Sequence, residues 1–132
     1  MEPATFDVIQ LVIALVFGVV FVLMGINHFV PASRRTMAAM IPPSMRRTGL
    51  LRPVNLVLFT GACEIAGGVG LFIPELRPIA AVALAVFLVA VFPANAYAAS
   101  HKDRFGMLAV PLVPRAIAQV VLIALLLVVA FG

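Results

Sequence analysis

A chain of 132 residues with 64% hydrophobic and only 11% charged side chains, and a mean hydropathy of +1.22, exceeds the roughly 45–50% apolar share of soluble domains, so lipid must be its solvent. The net charge of +4 and pI of about 10.7 would point to nucleic acid in a soluble protein, but the cations are gathered in particular connections, which makes lipid headgroups and membrane orientation the better explanation. One cysteine, Cys63, and two histidines exclude an internal disulfide, a dithiol redox centre and a four-ligand zinc or iron–sulfur site.

The first predicted span covers residues 6–29. Its leading residues are Glu2 and Asp7 rather than Lys or Arg, its apolar run is too long for a signal-peptide core, and no small-residue cleavage site follows. It therefore reads as a retained transmembrane helix. Ala14 and Gly18 offer a close approach to a neighbour, and the span ends in the polar Asn27-His28 ahead of Pro31. Residues 31–52 follow as the longest connection. Ser33 is expected to cap a short interfacial helix with Met37, Met40 and Ile41 on one face and Arg34 and Arg35 on the other, stopped by Pro42-Pro43. Its methionine-rich face suits a lid over the helix ends.

The second span, residues 53–73, opens on Pro53, which wastes no N–H in a first turn, and is thinned by Gly61, Gly67, Gly68 and Gly70. Near its middle stands Glu64, on the order of 16 Å along the helix from its start. An unpaired acid at such depth costs at least ~2.5 kcal/mol and ordinarily faces a protein interior. Cys63 beside it reads as inert packing. The alanine-rich third span covers residues 79–99, where Pro93 is expected to interrupt the helix and deprive the Val89 carbonyl of its donor. The fourth covers residues 111–131, with Arg115 and Gln119 one turn apart on a shared face and an aliphatic remainder turned to lipid.

These four spans fill residues 1–132, leaving no room for a separate soluble domain, and predict an all-α, antiparallel four-helix transmembrane bundle with the short interfacial helix in its first loop. The first connection carries Arg34, Arg35, Arg46, Arg47 and Arg52 with no acid, and the third carries Lys102 and Arg104 against Asp103. The positive-inside rule then places both termini outside the cytoplasm. On this topology His28, Asn95, Arg115 and Gln119 fall in the cytoplasmic half. Axial rise brings Asn95 and Gln119 within reach of Glu64, and Arg115 too with a modest offset, while His28 lies shallower, toward the lid. Taken singly, each of the five has a structural explanation: a glue residue, a headgroup anchor, a solvated cap, or a partner for backbone freed by Pro93. Together they predict an internal polar pocket whose ligand-binding residues are His28, Glu64, Asn95, Arg115 and Gln119.

The runs Gly25-Ile26-Asn27-His28-Phe29, Met40-Ile41-Pro42-Pro43, Gly61-Ala62-Cys63-Glu64-Ile65-Ala66-Gly67-Gly68 and Val91-Phe92-Pro93-Ala94-Asn95, followed by Pro114-Arg115 and Gln119, resemble the DoxX-like family of small bacterial membrane proteins. They recur in order over nearly the whole chain. The resemblance implies a four-helix membrane bundle of the bacterial cytoplasmic membrane and an association with quinone-linked or oxidative-stress redox systems. The cysteine pairs of related quinone-linked folds are absent, which argues against autonomous dithiol chemistry. Three functions stay open: a redox accessory holding a quinone headgroup with no covalently bound cofactor, a binder of lipid or another hydrophobic ligand, and a structural subunit docked to other membrane proteins.

Overall fold

The computed structural model describes residues 3–101 and 112–132, and within them all regular structure is helical. Among the described residues five α-helices are formed: α1 (Pro3–Asn27), α2 (Pro31–Ala39), α3 (Pro53–Phe72), α4 (Arg77–Ala99) and α5 (Leu112–Phe131). All but α2 are long and apolar enough to cross a membrane, consistent with a multi-pass membrane protein. The side chains they leave exposed are those lipid would cover, among them Val8, Val16, Phe59, Ile79, Val86, Val113 and Val120. The basic residues Lys102 and Arg104 of the third connection lie outside the described residues.

Proline begins the helices and backbone geometry ends them. Pro31 and Pro53 occupy first turns, where a missing N–H costs nothing. Pro31 takes the start of α2, so Val30 is its N-cap and Ser33 lies inside the helix, its hydroxyl donating to Asn27 Oδ1 at 2.9 Å. The expected Ser33 cap is thereby corrected. At the far end of α2, Arg46 donates to the Ile41 and Ala39 carbonyls, and at the end of α3, Arg77 donates to Leu71 O at 2.8 Å. These cations satisfy carbonyls that have run out of helical donors. Pro93 does not interrupt α4, which runs unbroken to Ala99. α1 ends at Asn27, two residues before the expected limit, and His28, Phe29 and Val30 continue as a tight turn of bonds to the third preceding carbonyl.

Small residues set the packing. Between α1 and α3, Gly25 meets Gly61 and Ile65, while Gly18 meets Gly68 and Phe72; contacts descend α3 as they ascend α1. A different face of α3 meets α4, through Gly67 against Leu84 and Gly70 against Ala80. α4 packs in turn on α5, and Gln10 ties α1 to α5 by donating to Val128 O at 2.8 Å. One apolar core joins Ala14, Phe21, Leu71, Leu84, Leu88, Leu126 and Val129. A second, smaller cluster seats Met40 on Ala98 beside Ala94 and Tyr97, so the residue after α2 packs on the last turn of α4.

Candidate functional site

Glu64 is buried on the stripe Val57, Gly61, Glu64, Gly68, and that stripe faces α1. Two glycines make the placement work. A Cβ on Gly61 would stand 2.6 Å from His28 Cβ, and one on Gly25 would stand 2.7 Å from the Gly61 carbonyl, so only glycine lets the two backbones meet there. This close approach, with the tight turn after α1, brings the imidazole of His28 over α3. Its Nε2 lies 3.1 Å from Glu64 Oε2. Nδ1 lies 2.9 Å from Val57 O and 3.2 Å from Thr60 Oγ1, and the Thr60 hydroxyl itself donates to Val57 O at 2.9 Å.

Donor and acceptor chemistry assigns the protons from these distances. A backbone carbonyl only accepts, so Nδ1 facing Val57 O must carry hydrogen. With the Thr60 hydroxyl proton spent on the same carbonyl, a Thr60 lone pair is left to face Nδ1. With Nδ1 so assigned, one proton between Nε2 and Oε2 keeps their lone pairs from facing each other at 3.1 Å, as a neutral imidazole beside a carboxylic acid or as imidazolium beside carboxylate. The pair is neutral overall in either form, which is what a low-dielectric site tolerates. The Nε2–Oε2 contact has ion-pair length but falls short of the alignment of a directed hydrogen bond. Among the described residues, Oε2 is the buried side-chain polar atom left without one. The acid thus keeps unused hydrogen-bonding capacity, and His28 is its more accessible partner, at 13% side-chain exposure against 4% for Glu64.

The other three expected residues gather elsewhere. Arg115 Nη1 donates to Asn95 Oδ1 at 3.3 Å, joining α4 to α5. Gln119 lies half-buried on α5, one turn beyond Arg115. Among the described residues no hydrogen bond or ion pair links Glu64 to Asn95, Arg115 or Gln119. The expectation that amides of the third and fourth spans enclose Glu64 is corrected on this point: Glu64 is turned to α1, whereas the face of α3 toward α4 is built from Gly67 and Gly70. His28, expected shallower and toward the lid, is instead the group that meets the acid.

Thr60 and the Val57 carbonyl join the site beyond the five residues expected from sequence. The signal was present, since Val57, Thr60, Gly61 and Glu64 recur at helical spacing on one face. Gly18 and Gly25 on α1 repeat the seven-residue interval of Gly61 and Gly68. Among the described residues no cluster of three His, Cys, Asp or Glu side chains is placed to hold a metal ion.

Residues 17–130 match the family model described as "Domain of unknown function (DUF8561)". No curated protein and no solved structure matches the chain.

Proposed function

The chain belongs to the DUF8561 family, a premise that leaves function to be argued from the site, and we propose that it is a quinone-linked redox accessory of the bacterial cytoplasmic membrane, holding a quinone headgroup at the His28–Glu64 pair. The single observation carrying this reading is a buried acid 3.1 Å from an imidazole Nε2, with the far ring nitrogen against a backbone carbonyl. A quinone carbonyl accepts hydrogen bonds, and full reduction takes two electrons and two protons. The electrons come from a partner redox protein. His28 is the more exposed member, and a quinone carbonyl takes Nε2–H in place of the misaligned Glu64 Oε2 contact, while Nδ1 stays on Val57 O. Glu64 behind it then returns a proton to Nε2 for the second transfer. Arg115, held by Asn95, and Gln119 supply further donors toward the same half of the membrane. The DoxX-like resemblance of these motifs is the support for the quinone class.

In this reading the four long helices form an antiparallel bundle, supported by the descending register of α1 against α3. α2 lies in the interface, the arginine-rich connection faces the cytoplasm, and both termini lie outside. A short-chain ubiquinone analogue titrated by calorimetry into the protein in lipid nanodiscs tests the proposal. Saturable binding that weakens on the order of tenfold in His28→Ala and Glu64→Gln is expected, a change of about 1.4 kcal/mol. Equal, non-saturating uptake by wild type and both variants would mean simple partitioning and overturn it, leaving a hydrophobic-ligand binder or a structural subunit.

A further inference from the structure

The connection between α2 and α3 carries a surface that the His28–Glu64 reading does not use. From Pro43 to Arg52 every residue is exposed, and within this run stand Met45 at 44%, Leu50 at 88% and Leu51 at 59% exposure. Two adjacent leucines this bare are unfavourable in water. Their position supplies a different environment. The turn Gly49–Leu51 ends at Arg52, immediately before Pro53 opens α3, so the leucines sit at the level where a membrane-spanning α3 leaves the hydrocarbon. The turn is built rather than loose. Gly49 takes a φ of 70°, a conformation suited to glycine, and Asn55 Nδ2 donates to its carbonyl at 3.4 Å. Arg46 closes the preceding stretch onto the end of α2 through Ile41 O and Ala39 O.

The same connection, with the helix that opens it, is strongly basic. Residues 31–52 hold five arginines and no acid. Arg46 and Arg47 spend donors on backbone carbonyls, but among the described residues no side-chain hydrogen bond or ion pair engages Arg34, Arg35 or Arg52. Their guanidinium groups keep the forked donors that suit phosphate. We propose that this face is a binding surface for anionic phospholipid headgroups, with Leu50 and Leu51 inserted into the acyl boundary and Arg34, Arg35 and Arg52 on the phosphates. A basic side chain near an anionic leaflet is worth about fivefold in association, so the three together give a strong preference over zwitterionic lipid.

The full chain in nanodiscs of phosphatidylcholine mixed with phosphatidylglycerol provides the test, by native mass spectrometry of the lipids retained on release. Wild type should retain phosphatidylglycerol in preference, losing about fivefold of that preference for each guanidinium removed in Arg34→Gln, Arg35→Gln and Arg52→Gln. Excess inorganic phosphate should fail to displace the lipid. In a Cys63→Ser background, a spin label at Leu50→Cys should be reached by lipid-soluble oxygen in preference to a water-soluble nickel chelate. Unchanged lipid preference in the triple variant, displacement by phosphate, or a water-accessible label would each overturn the proposal. None of these readouts involves quinone or the His28–Glu64 pair, so either idea can fail without the other.

Discussion

Removing His28 takes away the side chain that meets Glu64 at 3.1 Å among the described residues. Breaking a buried ion pair in a soluble protein costs about 3–5 kcal/mol, whereas interhelical hydrogen bonds in membranes average nearer 0.6 and reach about 1.7 kcal/mol. A carboxyl can escape by keeping a proton, so the lower range governs here. His28→Ala should therefore destabilise by about 1–2 kcal/mol, measured by unfolding in mixed micelles. Glu64→Gln, whose amide can still meet Nε2, should cost under about 1 kcal/mol. Glu64→Leu combined with His28→Ala should cost less than the sum of the two single changes, because each alone strands the other's polar group. Additive costs would show that the two side chains do not interact.

At the scale of the helices, the α1–α3 contact decides whether the pair can form. An alanine at Gly61 places its Cβ against His28 Cβ and 3.0 Å from Gly25 O, atoms fixed by backbone that cannot rotate aside. At Gly18 the two nearest atoms belong to the Phe72 ring, which is exposed enough to swing away. The Gly68 carbonyl, at 3.1 Å from that position, needs to give by only a few tenths of an ångström, whereas at Gly61 the nearest atom is His28 Cβ. Gly61→Ala should thus lose about 1–3 kcal/mol and weaken any His28-dependent binding, while Gly18→Ala should stay within about 1 kcal/mol of wild type. Equal effects in the same unfolding assay would contradict this.

Much of the element layout was legible in the sequence. Prolines and apolar length bound α3 and α4 to within two residues of the expected spans, because lipid leaves few other choices for runs of that composition. What stayed hidden was azimuth. Axial rise places Asn95 and Gln119 at the depth of Glu64, but depth does not say which way a helix is turned, and Gly61 and Gly68 turn Glu64 toward α1. Local chemistry misled in two places: Ser33 looked like a cap although Pro31 already opened α2, and Pro93 looked like a break although α4 continues through it.

For the whole molecule, the charge pattern and the four long helices predict that both termini lie on the side opposite the arginine-rich connection. Reporter fusions at residues 1 and 132 should be active only outside the cytoplasm, and one at the connection only inside; termini on opposite sides would remove the proposed topology. Under the proposed function that arrangement would set His28 in the half of the membrane where a partner or solvent reloads the proton. The central claim is the proton shared by His28 and Glu64, and the histidine-nitrogen NMR spectrum tests it most directly, recorded in nanodiscs on a His101→Gln background so that one ring reports. The account predicts a protonated Nδ1 and an Nε2 resonance that moves in Glu64→Gln; a bare Nδ1, or an Nε2 indifferent to residue 64, would contradict it.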